Sequence, residues 1–335
     1  MSGENKISVI VPCYNEEAVL PQLFQRLGSV AVTWGMDFEI ICVDDGSRDR
    51  TWELLTAQHK KDARWRCLSF ARNFGHQTAV SAGLFHATGD AVVVIDADLQ
   101  DPPEQIMRFI EKWREGYDVV YAVRQKRKEN IFKRACYWAF YRLMSKLVLF
   151  EMPLDSGDFC LMNRRVVAAL NAMPERNRFV RGLRAWSGFK QTGLVYERHA
   201  RAAGDAKYSF FKLMKLARDG IFSFSTVPLA LVTQTGMLIS FVSFLGIVWT
   251  LASKIFNEFF AKHGFPPVQG FTTIVVSILF LGGIQMMCLG ILGEYIGRIY
   301  DEVKRRPLWI IQDAAGIQPI NMGEPESKRG PSGLL

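Results

Sequence analysis

The chain has 335 residues, 49% of them apolar, and a formal net charge of +8. That is enough for a sizeable core in one large domain or two ordinary ones. The positive charge would suit nucleic acid, but Lys and Arg gather beside two uncharged stretches instead of forming a separate basic stripe, which disfavours that class.

In chain order, the β-rich apolar runs 7–11, 38–43, 66–70, 91–95 and 119–123 predict short buried strands. Between them, the apolar spacing of 16–27, 51–60, 75–87 and 103–115 predicts helices. This alternation predicts an α/β fold with a parallel sheet covered on both faces. Three strands run into residues able to do chemistry: Pro12-Cys13-Tyr14-Asn15-Glu16, Asp44-Asp45-Gly46-Ser47 and Asp96-Ala97-Asp98. Right-handed crossovers place such ends on one edge, so distant residues meet in one crevice. Asp96 and Asp98 are the most informative pair, because Mg²⁺ or Mn²⁺ is usually held by one or two carboxylates together with substrate phosphates. No Gly-x-Gly-x-x-Gly follows the first strand and no Walker motif occurs, which disfavours a dinucleotide dehydrogenase and a P-loop enzyme.

Beyond the sheet, 130–150 and 207–224 interleave aromatic and basic residues, the pattern of amphipathic helices lying in a membrane interface. Residues 221–253 and 264–293 contain no Asp, Glu, Lys or Arg. Each exceeds the roughly 20 residues a span requires, so two transmembrane helices are predicted. Lys207, Lys212, Lys215 and Arg218 precede the first span, and Arg298, Lys304, Arg305 and Arg306 follow the second. The positive-inside rule therefore puts both termini in the cytoplasm, with the catalytic part at the inner face of a plasma membrane. No signal peptide precedes Lys6. The six cysteines show no C-x-x-C pairing, which predicts buried free thiols in a reducing compartment. The expected organisation is an α/β core over 1–125, a part with interfacial helices over 126–226, a two-helix membrane hairpin over 227–298 and a basic cytosolic tail over 299–335, disordered from 322. Gly293 and Gly297 are spaced for close helix packing, within the chain or between subunits of a homo-oligomer, and Glu294 with Arg298 forms an i,i+4 pair.

With these motifs in order, the chain resembles the family-two glycosyltransferases. Within them it is most similar to the membrane-bound polyprenyl-phosphate hexosyltransferases of the bactoprenol glucosyltransferase kind, with dolichol-phosphate mannose synthase related. The matching residues include Val11-Pro12-Cys13-Tyr14-Asn15-Glu16-Glu17, Asp44-Asp45-Gly46-Ser47, Arg72-Asn73-Phe74-Gly75, Asp96-Ala97-Asp98-Leu99-Gln100-Asp101-Pro102, Gly157-Asp158-Phe159 and Gly293-Glu294-Tyr295-Ile296-Gly297-Arg298. The resemblance implies a GT-A fold with a UDP-sugar donor, a polyprenyl phosphate acceptor and a divalent metal. It implies a uridine pocket lined by Pro12, Tyr14, Glu16 and Asp45, with Asp96 near the ribose, and Asp98 as metal ligand with Gln100 nearby. Asp158 falls where the family places an acid near the acceptor, as base or orienting residue. Among the cations that would bind the acceptor phosphate, Arg198 and Lys207 lead, with Arg124 and Arg134 behind them and Arg178 also weighed. The residues alone also allow Glu16 as a helix N-terminal acid, and Asp45 and Asp158 as cap or turn residues.

The implied reaction is inverting transfer of one glucose from UDP-glucose to undecaprenyl phosphate, giving a lipid-linked sugar for a flippase and a downstream glycosyltransferase. Mannose or aminoarabinose is the alternative sugar. Arg181-Gly182-Leu183-Arg184-Ala185-Trp186 departs from the Gln-x-x-Arg-Trp of processive synthases, which argues against polymer synthesis. A non-catalytic scaffold of the same fold is disfavoured because Asp45, Asp96 and Asp98 all stand.

Overall fold

The computed structural model describes residues 5–124, 156–173, 175, 176, 178–196, 229, part of 232–248 and 271–320. They fall in two compact units, one formed by Ile221–Val303 and the other by Met1–Gly220 with Lys304–Leu335.

In the larger unit the predicted alternation is present: β1 (Lys6–Cys13), α1 (Leu20–Val32), β2 (Asp37–Asp44), α2 (Thr51–Lys61), β3 (Trp65–Phe70), α3 (His76–His86), β4 (Ala91–Val94), α4 (Ile106–Arg114) and β5 (Val119–Arg124). Elements not anticipated follow: β6 (Ser156–Asn163), α5 (Arg164–Ala172), α6 (Val180–Trp186), β7 (Gln191–Tyr196) and, after the helix of the other unit, β8 (Ile311–Ala315). The eight strands form one sheet in the order β7-β5-β6-β4-β1-β2-β3-β8. β1 pairs in parallel with β2 and β4, β2 with β3, and β5 with β7. β6 runs antiparallel between β4 and β5, and β8 runs antiparallel to β3, so the sheet is mostly rather than wholly parallel.

The central strands are near-continuous apolar runs because both of their faces are covered. On one face Ile7, Val9 and Val11 join Leu20, Leu23 and Leu27 of α1 in the core. On the other, α3 comes so close to β1 that a Cβ on Gly83 would overlap Ile10. Helix α1 begins at Leu20, four residues later than its spacing predicted, with Pro21 in its first turn. The intervening residues are committed elsewhere: Asn15, Glu16 and Glu17 donate their backbone N–H groups to the side chains of Ser47, Thr51 and Asp49.

The predicted basic tail is partly structure. β8 extends the sheet at its β3 edge, and Trp309 is fully buried, stacked on Phe70 at 6.5 Å and edge-on to Phe85 at 5.8 Å. Residues 322–335, expected to be disordered, lie outside the described residues.

The smaller unit contains α7 (Phe271–Val303), 33 residues long. This is about 50 Å at the usual helical rise, and it continues to Val303, past Arg298, where the hairpin was expected to end. Phe280, Met286, Met287, Ile296 and Ile299 along it are exposed. Among the described residues it is the one helix long and apolar enough to cross a membrane. The Arg298 guanidinium donates to Glu294 Oε1 at 3.0 Å, the i,i+4 pair read from the sequence. The first predicted span, 221–253, is described only in part, and the amphipathic segments 130–150 and 207–224 lie outside the described residues.

Candidate active site

The C-terminal ends of β1, β2, β4 and β5 meet at one edge of the sheet, where antiparallel β6 begins. Ligands bind at such an edge in open α/β sheets. Cys13 at the end of β1 is in register with Asp44, and the Asp45 N–H donates to the Cys13 carbonyl at 2.9 Å, which sets the two predicted motifs side by side. Pro12 is buried in β1, Tyr14 is exposed at the mouth and Glu16 is half-buried beside it. Asn15 between them adopts a left-handed φ of 52°.

Asp45 is buried, and its carboxylate accepts the N–H of Phe74 at 2.6 Å and of Gly75 at 2.9 Å. Burial pushes its carboxyl pKa up, and those two N–H groups only partly offset the effect. The Arg72-Asn73-Phe74-Gly75 motif is therefore drawn onto the Asp45 turn. Gly46, at φ +68°, permits the approach, since a Cβ there would lie 2.5 Å from the Arg72 carbonyl carbon.

The chain leaves β4 into Asp96 and turns back at Leu99, whose φ is 57° although it is not glycine. Such a conformation costs energy and is found repeatedly at functional sites. The turn brings the Gln100 N–H to Asp98 Oδ1 at 3.1 Å and leaves Asp96 Oδ1 buried without a hydrogen-bond partner. Burial, with the carboxylates of Asp158, Asp101 and Asp98, lifts the Asp96 pKa to about 6 against the opposing pull of His76. Among the described residues no group of three or more His, Cys, Asp or Glu could hold a metal by itself. Asp98 and Gln100 lie two residues apart on this turn and both carry side-chain oxygens, a donor set that fits a hard divalent cation completed by diphosphate and water.

Asp158, in β6, lies at the same edge. Its Oδ1 accepts from Arg181 Nη2 at 3.3 Å, and its Oδ2 is 3.6 Å from His76 Nε2. Burial would raise this carboxyl, but Arg181 above all, with His76 and Arg184, holds it well below the usual range. The same imidazole nitrogen is 3.7 Å from Asp96 Oδ1. The His76 side chain is 43% exposed; the desolvation it does meet would lower its pKa, but Asp158, Asp96 and Asp45 outweigh that and raise the value to about 9.

Arg124 ends β5 at this edge, in register with Tyr196 of β7, whose hydroxyl donates to buried Asp101. Arg178 is engaged elsewhere: buried, it donates to the carbonyls of Met173 and Leu170 and caps the end of α5. Arg134, Arg198 and Lys207 lie outside the described residues. Sequence reasoning passed over His76, Arg181, Arg184 and the Asp101–Tyr196 bond. His76 directly follows a motif already singled out, and Arg181 and Arg184 belong to a stretch weighed only as a departure from a processive motif.

The mostly parallel α/β sheet with acidic turns at its strand ends, together with a family match over residues 8–170, defines the class, a glycosyltransferase of GT-A fold. Residues 8–170 match the family described as glycosyl transferase family 2. An uncharacterized glycosyltransferase of Bacillus subtilis, YkcC, is 46% identical over 319 residues, covering 95% of this chain and 97% of its own. The prophage bactoprenol glucosyl transferase homolog of Escherichia coli is 42% identical, covering 92% of this chain and 98% of its own. The bactoprenol glucosyl transferase of Shigella phage SfII is likewise 42% identical, covering 92% and 97%. The chain belongs to glycosyl transferase family 2.

Proposed function

We propose that the protein transfers a single glucose from UDP-glucose to undecaprenyl phosphate, with inversion, at the cytosolic face of a membrane that it enters through α7 and a second span within 221–253. The observation that carries this reading is the pairing of Asp158 with Arg181 at 3.3 Å and its approach to His76 at 3.6 Å. A carboxylate held ionised by Arg181 and His76 is a poor proton acceptor, so a sugar hydroxyl would be a badly served nucleophile here. A lipid phosphate monoester is already anionic near neutral pH and needs positioning more than a base. Relatives named bactoprenol glucosyl transferase over nearly their whole length support the same acceptor and sugar.

In this reading Pro12, Tyr14, Glu16 and Asp45 line the uridine pocket. Asp45 keeps its loop bonds while accepting one more, since a carboxylate offers about four lone-pair sites. Asp96 faces the ribose. Asp98, with Gln100, would hold the divalent cation, which when bound offsets charge on the leaving diphosphate. Arg124 at the edge, with Arg134, Arg198 and Lys207, supplies cations for the acceptor phosphate, whose oxygen attacks the anomeric carbon opposite the departing UDP.

The experiment is transfer of labelled sugar from a panel of UDP-sugars to undecaprenyl phosphate by the purified full chain in detergent, with Mg²⁺ or Mn²⁺. Transfer from UDP-glucose alone, abolished by EDTA, is the expected result. Transfer only from a donor of mannose or aminoarabinose would correct the sugar, and nucleotide binding without transfer from any donor would overturn the reading.

A further inference from the structure

We infer that His76 is a positioning residue for this transfer, its imidazole set between the carboxylates of Asp96 and Asp158 at the mouth of the sheet. The inference deepens the function proposed above and rests on it for its catalytic consequence.

Two carboxylates face this imidazole, and groups on two further elements hold its surroundings. Its Nε2 lies 3.7 Å from Asp96 Oδ1, just past β4, and 3.6 Å from Asp158 Oδ2 on β6. The other oxygen of Asp158 is taken by Arg181 of α6 at 3.3 Å. Behind the ring, Asp45 at the end of β2 grips the N–H groups of Phe74 and Gly75, the two residues before it. The ring is thus set from its backbone side by one carboxylate and faced by two more.

Two features argue that packing alone does not explain this arrangement. Two carboxylates at one mouth repel, and a cation between them turns that repulsion into a fixed spacing. His76 is also the first residue of α3, the end of a helix where a positive charge is disfavoured by the macrodipole. The surrounding carboxylates nevertheless keep the imidazole protonated near neutral pH. Asp96 belongs to the donor side of the site and Asp158 to the acceptor side, so the bridge sets the distance between the two reactants. Asp96 Oδ1 makes no hydrogen bond, and the His76 imidazole is set against it at 3.7 Å.

The test uses the full chain in detergent with UDP-glucose and undecaprenyl phosphate, comparing His76→Gln, His76→Lys, Asp158→Asn and the double variant His76→Gln/Asp158→Asn. Misplacement of reacting groups on this scale predicts a loss of about 100-fold in kcat for His76→Gln, with donor KM changed less than about threefold. His76→Lys, which restores a cation, should recover at least about tenfold of that loss. The double variant should be no slower than Asp158→Asn alone, because residues acting as a unit are not additive. Equal losses in His76→Gln and His76→Lys, or additive losses in the double variant, would overturn the inference, as would a wild-type kcat in His76→Gln. A second measurement needs no activity: nitrogen-15 NMR of the histidines, His76 being identified by its absence from His76→Gln. A protonated ring at pH 8 in the native chain is expected, and a neutral ring there overturns the inference. Absence of sugar transfer by the native chain would instead overturn the proposed function, leaving the NMR result to decide the charge of His76.

Discussion

Asp45 carries two demands at once: in the proposed reading it faces a base, and in the structure it holds a loop. Only its position before Gly46 was legible in the sequence, because its partners, the N–H groups of Phe74 and Gly75, lie 29 and 30 residues away. Gly46 is legible for a firmer reason, since a turn at positive φ against the Arg72 backbone admits no other residue without strain. Gly46→Ala should destabilise the fold by at least about 1–2 kcal/mol, the penalty of a left-handed residue before any clash is counted, as read by urea unfolding. Asp98→Asn should lower transfer by at least about 100-fold with circular dichroism unchanged, in keeping with loss of one charge-stabilising group. Glu39 is a purely structural counterpart. Buried at 2% exposure, it accepts from the Ser8 hydroxyl at 2.6 Å and the Thr88 N–H at 2.8 Å and pairs with Lys6 and Arg66. Burial alone would raise its pKa, but the Ser8 and Thr88 hydrogen bonds and the Lys6 charge outweigh it and lower the value from 4.5. Its contribution is therefore fully present above pH 4.5 and is lost as the pH falls through the lowered folded value. Glu39→Gln should cost about 3 kcal/mol near neutral pH, and the gap from the native chain should close on acidification below pH 4.5 in unfolding curves.

At the scale of elements, period and propensity located the first five strands and four helices because each repeats one pattern over several residues. They misplaced the start of α1, where the N–H groups of residues 15–17 donate to the side chains of Ser47, Asp49 and Thr51 and are held out of the helix. They also passed over β6, α5, α6 and β7. β6 is antiparallel between two parallel strands, and nothing in Ser156–Asn163 alone records the direction of its neighbours. Helix α3 depends on a close approach that the sequence shows only as a glycine. Gly83→Ala should cost about 1–3 kcal/mol, since the added methyl overlaps Ile10 and the core must shift, as measured by thermal unfolding.

At the scale of the whole molecule, the segment after α7 rejoins the larger unit's sheet. Trp309 packs among Phe70, Phe85 and His86, and its indole N–H donates to the Ile320 carbonyl at 3.3 Å. The Ile320 N–H donates to His86 Nε2 at 3.3 Å, and burial lowers the pKa of that imidazole. Trp309→Ala should remove about 3–5 kcal/mol, the usual cost of deleting a buried aromatic side chain. The expected sign is rapid protease cleavage within 304–320 that the native chain resists. Sequence by itself determined the α/β class, the acidic turns at the strand ends, the apolar helix and the family, because each is written in consecutive residues or in motifs whose order survives without coordinates. Tertiary structure alone decided the bridge from His76 to Asp96 and Asp158, the capping role of Arg178, the antiparallel β6 and the docking of Trp309. Each is a meeting of residues far apart in sequence, fixed by strand direction and close packing that no local pattern encodes.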